Sequence, residues 1–407
     1  MLAAPRDLTI PDPGSRTARD VLSAALRRLL VDLRELPRLA VRDPVRRDLE
    51  QLSRALAEVQ RASPGALVSV LRRVDVGAPL RCLRTPDATP MALDDLVASF
   101  TASAALELAR AEALPQPIIQ QWLPRRITSS AGRFTLQIPA TARSIVYASG
   151  AVTIRGELGE ERVRLVDGGA LEGPSVRRTF HVVEGDVLLA LDDANPLSMV
   201  DAHPSKSGNP INLGGRPVEQ WLAALRDALA RVGRHLPELR GEIDLLVQQF
   251  VPVGWDAERH VSASYREAIG TVYLSLHPSA MTMTEAVIHE FQHNKLNALF
   301  EIDGVLENAF SPLYESPVRP DPRPLHGVLL AVHAFLPVAR LYEQMIEAGA
   351  PEAKSESFLA RYRAIARINR EGAEVVRSNA RPTAAGRALL DEIARWDEHF
   401  RPVAEQP

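Results

Sequence analysis

A chain of 407 residues is too long for one ordinary core and suggests two or three domains, each able to bury substantial apolar surface. Apolar residues make 46% of it and charged residues 24%, and 48 basic against 51 acidic side chains leave a formal charge of −3, so neither a nucleic-acid nor a membrane partner is expected. The single cysteine, Cys82, can form no internal disulfide and no thiolate cluster, which fits a reducing, cytoplasmic setting and leaves the ten histidines as the main source of metal ligands.

The opening MLAAPRDLTIPDPGSR has no apolar run after a basic start, and no later run reaches about 18 uncharged apolar residues, so secretion and membrane spanning are not expected. TARDVLSAALRRLLVDLREL and LDDLVASFTASAALELARAEAL place apolar residues at steps of three and four, which predicts a helical region over residues 1–128, interrupted at PGALVSVLRR and VGAPLRCLRTPDATP. The period then falls to two. RFTLQIPA, SIVYA, VTIRGEL, ERVRLVD, RRTFHVV and DVLLALD predict a small antiparallel β unit, which runs with the turn-rich linker DDANPLSMVDAHPSKSGNPINLGG over residues 129–212.

Residues 213–407 read as a largely helical domain with one strand, AIGTVYLSLHP at 268–278, bounded by Gly270 and Pro278. The expected fold class is α+β, mostly helical, without internal repeats. After the strand comes EAVIHEFQHNKLNAL, predicted to be a helix that is capped by Thr282 or Thr284, with a capping box from Thr282 to Glu285, and that runs to Phe300. NAFSPLYESPVRPDPRP, with five prolines, predicts a loop, and LHGVLLAVHAFLPVARLYEQMIEA a second long helix opened by Pro324.

On the first of these helices His289 and His293 lie one above the other, so both imidazoles can reach one metal ion while Glu290 points beside it. Two imidazoles leave a mononuclear site too open, and a third ligand is needed. A third His six residues after the second is excluded, because Leu299 stands there and Leu296 stands where that pattern needs Gly. His326 and His333 of the second helix are seven apart, hence on roughly one face, and about 10 Å from each other, so at most one of them can share the metal. Arg319 and Arg323 of the Pro-rich loop could clamp a carboxylate bidentately, with Arg340 a weaker candidate, and Ser262, Ser264, Tyr265 and Arg266 could line the same cleft.

The segments SASYREAIGTVYLSLHP, EAVIHEFQHNKLNAL, the SP…RPDPRPLHG loop and LLAVHAFLPVARLY, within about residues 250–345, resemble the HExxH-motif domain proteins of peptide natural-product clusters, which are α-ketoglutarate-dependent peptide β-hydroxylases. The resemblance implies iron(II) at His289 and His293 with a His of the following helix, His333 or else His326, as third ligand. It also implies Glu290 as a polar residue of the cleft, and Arg323, then Arg319, for the carboxylate of 2-oxoglutarate. Dioxygen would be the oxidant, a ribosomally made precursor peptide the substrate, and a second modification enzyme a further partner. An all-His site departs from the usual pair of histidines with one carboxylate.

Two other readings stand beside it. A zinc metallopeptidase would use Glu290 as general base, a Glu or Asp of the loop or second helix (Glu301, Asp303, Glu307, Glu315, Glu343 or Glu347) as third ligand, and the strand at 270–276 as a free edge for the substrate peptide. A catalytically silent module would capture a leader peptide or partner enzyme through the N-terminal helices or the β unit.

Overall fold

The structure, a computed structural model, describes residues 7–157, 159–166, 169–200, 208–317 and 319–406, with part of the expected linker (201–207) outside them. The fold is α+β and mostly helical, with 52% of residues in helices and 18% in strands.

Five helices open the chain: α1 (Thr17–Asp32), α2 (Asp43–Ala62), α3 (Pro64–Arg72), α4 (Val74–Cys82) and α5 (Leu93–Arg110). The stretches expected to interrupt the helices are themselves helical. Pro64 stands in the first turn of α3, where its missing N–H has no intrahelical role. Helix α5 is buried on nearly every side, with Leu96, Phe100, Leu106 and Leu108 fully covered.

Strands begin earlier than expected, with β1 (Ile118–Gln120) and β2 (Arg126–Ser129) falling inside the region predicted to be helical. β2, β3 (Phe134–Gln137) and β8 (Val176–Arg178) form a three-stranded sheet. β1 pairs with β4 (Ala142–Ala148), which continues through β5 (Ala151–Gly156) and β6 (Gly159–Val166) to β7 (Gly169–Ala170), all antiparallel.

The last two strands of the expected β unit, β9 (Phe180–Glu184) and β10 (Val187–Ala190), belong to a different sheet. It has the order β12-β13-β11-β10-β9, with β11 (Gln249–Trp255), β12 (Ser262–Ala263) and β13 (Thr271–Leu276). One sheet therefore crosses the boundary expected at residue 212. Strand β11, QFVPVGW, was expected to lie among helices. It is a strand because it runs parallel between β10 and β13, and its first four residues are buried.

Helices α6 (Val218–His235) and α7 (Pro237–Leu246) precede β11, and α8 (Ala280–Phe300) follows β13. The Pro-rich segment is not a plain loop but a hairpin, β14 (Leu313–Ser316) with β15 (Arg319–Pro324), which tolerates prolines because it is a two-stranded sheet with free outer edges. Helices α9 (Leu325–Glu347), α10 (Glu356–Asn379) and α11 (Ala384–Ala404) complete the chain. α9 alone among the described residues has the length and hydropathy of a membrane span, and 72% of its most apolar window is buried inside the protein.

Helix α8 is the axis of this half of the molecule, surrounded by α1, α6, α7, α9 and β13. It is capped by Ser279, whose Oγ accepts from the Thr282 N–H at 3.2 Å, and not by the two threonines. Thr284 instead donates to the carbonyl of Ala280, and Glu285, expected in a capping box, is held by Arg361 and Tyr342. On one side of α8 runs the irregular segment Asp7–Ile10. Glu392 of α11 accepts the backbone N–H groups of Leu8, Thr9 and Ile10, at 2.6, 2.9 and 3.3 Å. Gln292 of α8 donates to the carbonyl of Thr9 at 2.7 Å, and the fully buried Lys295 pairs with Glu242 of α7 at 2.7 Å.

Candidate metal centre

The other side of α8 carries the motif. Because residues four apart share a helix face, His289 and His293 bring their Nε2 atoms to 2.9 Å, with ring centroids 4.4 Å apart and planes at 80°. Both residues are half-buried, while both Nδ1 atoms are buried and without a hydrogen-bond partner. Burial, first of all, pushes both imidazoles below their ordinary pKa, and for His289 the neighbouring His293 adds to the effect. Near neutral pH both rings are therefore uncharged, the state in which imidazole offers a lone pair to a metal.

Glu290 completes a group in which the ligand atoms of His289, Glu290 and His293 all lie within 4.8 Å of one another. Its carboxylate is oriented by Ser264, whose Oγ donates to Oε2 at 2.7 Å. Asn294 ties the same turn of helix to the sheet: its amide donates to the carbonyls of Glu290 and Thr271 and its Oδ1 accepts from the N–H of Gly270 at 2.7 Å. Gly270 sits at φ 102°, and a Cβ there would lie 2.7 Å from the Gln248 amide nitrogen, so this junction between sheet and motif helix requires glycine.

The structure does not bring the second helix's histidines into this group. α8 and α9 run antiparallel: Glu285 meets Tyr342, the ring of His289 meets Phe335 at 4.7 Å, and Phe300 meets His326 at 4.6 Å. At the level of the histidine pair α9 therefore presents Ala331 and Phe335. His333 is two residues from each, about 200° round the helix, and faces the opposite way. There its Nε2–H donates to the carbonyl of Leu8 at 3.0 Å; burial, then the nearby Lys295 ammonium, pushes its pKa down to about 3. His326 sits near the end of α8, its ring between Phe300 and Phe310, the latter at 5.3 Å. Burial is the main cause that brings its pKa down to about 4.

The arginines separate in the same way. Arg323, the last strand residue but one before α9, packs its Cβ 3.8 Å from where a Cβ of Gly327 would stand, on the row that continues through Ala331 to Phe335. Asp321 lies 2.9 Å from Nε, but off the N–H direction, and both Nε and Nη2 are buried without a hydrogen bond. Arg319 pairs in register with Ser316, and its side chain lies outside the described part. Arg340 is turned away, paired with Glu343 and over the ring of Trp396. Arg266 donates to the carbonyl of Phe300, and Tyr265 to that of Ser198.

Three of the acidic residues named for a peptidase are engaged elsewhere. Glu301 is buried in a cluster with Arg81 and Arg84, Asp303 accepts from Thr383, and Glu343 holds His399. Strand β13 is no free edge, since β11 covers one side and β12 pairs at Tyr273 and Leu274 on the other. Beyond Glu285, one turn before His289, a cavity of about 470 Å³ opens between the starts of α8 and α10, lined by Thr282, Glu285, Tyr342, Ser355, Phe358 and Arg361.

One residue with an influence on the pair was not singled out in the sequence. The charge of His260, in the turn before β12, is one of the influences that hold the His289 pKa down, after burial and His293. The available signal was its position two residues ahead of the SASYRE segment already assigned to the cleft. Comparison with protein-family models and with curated proteins finds no match to this chain.

Proposed function

We propose that this chain is an iron(II)- and 2-oxoglutarate-dependent oxygenase that hydroxylates the β-carbon of a side chain in a ribosomally made precursor peptide. The observation that carries the reading is the converging histidine pair. Two nitrogens bound cis at about 2.1 Å on an octahedral ion stand about 3.0 Å apart, and two on a tetrahedral ion about 3.4 Å. The 2.9 Å between the Nε2 atoms lets both reach one ion of either geometry, and the choice of iron(II) rests on the likeness of the motif segments to the iron-dependent hydroxylases. The two neutral, half-buried rings fit a divalent ion, and their buried, unpartnered Nδ1 atoms are the donors that would remain once Nε2 is engaged.

Iron, when bound with the keto acid, supplies the activation of dioxygen; overall, peptide C–H, dioxygen and 2-oxoglutarate give the alcohol, succinate and carbon dioxide. The chain's own residues bind and orient. His289 and His293 donate, Ser264 fixes the Glu290 carboxylate beside them, and Phe335 packs against His289 and limits its rotation. Arg323 would receive the distal carboxylate of 2-oxoglutarate in exchange for its ion pair with Asp321: its Nε and Nη2 are buried without a hydrogen bond, and it stands on the α9 row that leads to His289. Arg319 is second choice for the same contact. The cavity beyond Glu285 offers the peptide a way in along the same face of α8.

A zinc peptidase with Glu290 as general base is favoured by one observation, the Glu290 carboxylate within 4.8 Å of the pair. The covered edges of β13 and the engagement of Glu301, Asp303 and Glu343 with other partners weigh against it. Incubation with iron(II), 2-oxoglutarate and dioxygen tests the proposal: it predicts slow uncoupled succinate formation even without the peptide, lost in His289→Ala. Absence of succinate together with peptide hydrolysis by the zinc-loaded protein would overturn it.

A further inference from the structure

The β14–β15 hairpin leads straight into α9 and carries a strand edge that the fold leaves open. Leu313 pairs with Pro324 and Tyr314 with Arg323. In an antiparallel ladder, pairs that exchange both hydrogen bonds alternate with pairs that exchange none, and proline has no N–H to give. The exchanging pair is therefore Tyr314 with Arg323, so the nitrogens of Pro324 and Pro322 point away from β14. That outer edge of β15 has no donor at either position and is barred to a further strand. On β14 the same alternation turns the N–H and C=O of Leu313 and Glu315 outward.

Other strand edges of the molecule are closed by side chains. Gln51 accepts the N–H of Ile119 at 3.1 Å and donates to its carbonyl at 3.0 Å, which seals β1. Arg226 donates to the carbonyls of Val182 and Val183 of β9, at 2.9 and 2.6 Å. No side chain among the described residues does this for Leu313 or Glu315, and both are exposed. The open edge is also apolar at its start. Phe310 and Leu313, 67% and 58% exposed, are the two most exposed large apolar side chains among the described residues, and the Phe310 ring lies 5.3 Å from that of His326. Exposure alternates along β14, so Leu313 and Glu315 share the solvent face while Tyr314 packs against the core.

We propose that the edge of β14 receives an extended segment of the substrate peptide as an added strand, with an apolar side chain against Leu313 and Phe310 and a Lys or Arg two positions away beside Glu315. This rests on the reading of the chain as a modifier of peptides and deepens it. A strand edge is complementary to an extended backbone, its period of two sets the spacing from apolar to basic residue, and the Glu315 carboxylate selects the sign of the charge. The start of α9 lies beside the end of α8, where His326 meets Phe300, about 10 Å along α8 from His293. The docked segment therefore stands at least about three extended residues from the side chain offered to the histidine pair.

The test is peptide binding by the full chain, without iron or turnover. Short fluorescent peptides of Ser, Thr and Val with one Phe and one Lys two positions apart are titrated and followed by anisotropy, beside forms N-methylated at alternate amides in either frame. Saturable binding is expected, with loss in the frame whose methylated amides face the edge. Glu315→Pro removes one outward N–H and leaves the ladder to β15 in place, and should weaken binding at least about fivefold. Phe310→Ser should weaken it at least about tenfold, as loss of an apolar anchor does. Glu315→Lys should reverse the preference from Lys-bearing to Glu-bearing peptides, and it keeps the test open if Glu315→Pro disturbs the hairpin. Iron affinity should stay unchanged in all three variants. Binding that is indifferent to N-methylation or unaltered in the variants overturns the inference, as does the absence of saturable binding by every peptide of the set. Self-association of the wild type that Glu315→Pro abolishes would give the edge to a second copy and overturn it as well. A chain that docks these peptides at β14 but forms no succinate would sink only the proposed reaction, and an active oxygenase whose variants dock them normally would sink only this inference.

Discussion

The two sides of α8 put the same residue types to opposite uses. On the Asp7–Ile10 side, Gln292, Lys295 and the facing His333 each donate to a protein acceptor: the Thr9 carbonyl, the Glu242 carboxylate and the Leu8 carbonyl. On the cleft side, His289 and His293 have only each other. Both sides leave buried atoms unpaired, the Nδ1 of all three histidines and Gln292 Oε1 among them, so the difference lies in the protein acceptor that each group of the first side has and that the pair lacks outside itself, which leaves the pair open to a ligand. Burial alone does not distinguish them; the presence of a protein acceptor does.

The largest expected effect breaks the cleft side. His289→Ala or His293→Ala should abolish stoichiometric metal binding, measured by titration, while circular dichroism shows the fold retained, because neither ring bonds to a protein group outside the pair. An unfolded variant would mean that the cleft side is structural as well. On the other side, Lys295→Met should cost about 3–5 kcal/mol in urea unfolding, since it strands the Glu242 carboxylate in the interior. The metal stoichiometry of the folded variant should not change.

Arg323→Ala should weaken 2-oxoglutarate binding by about ten- to a hundredfold, the worth of a charge-assisted hydrogen-bonded contact of about 1.5–3 kcal/mol, with iron affinity preserved. Loss of iron binding instead would mean that the arginine organises the site.

The smallest effect sharpens the comparison by pH. His333 is neutral when folded, with a pKa of about 3 against an ordinary 6.5. As pH falls below 6.5 the unfolded chain takes up this proton and the native state does not, so stability declines through the window from 6.5 to about 3. For metal-free protein, His333→Leu should flatten the decline by up to about 1.4 kcal/mol per pH unit. An unaltered slope would show that the ring is charged in the fold.

What could be seen in the sequence was what periodicity carries. The spacing of His289 and His293 on one helix face and the helix ending at Phe300 are consequences of 3.6 residues per turn, and both stand in the structure. The orientation of α9 was not accessible in this way. Histidines 326 and 333 share a face with each other, but which face meets α8 is fixed by Phe335, Tyr342 and the antiparallel register, which are tertiary facts. β11 was missed for a related reason, since a short apolar run becomes a strand only when neighbours supply its ladder. In the β14–β15 hairpin the prolines concealed a pairing that a free-edged two-stranded ribbon allows. His260 gave no periodic signal, because its position depends on a turn held by Asp256 and Ser275.

The most direct test of the central claim is an anaerobic titration of metal-free protein with iron(II) and 2-oxoglutarate, followed in the visible range. The account predicts a weak charge-transfer band of the chelated keto acid that saturates near one equivalent of iron, diminishes in Arg323→Ala, and bleaches with succinate formation when dioxygen is admitted. No band at saturating iron and keto acid, with tight retention of zinc in its place, would contradict it.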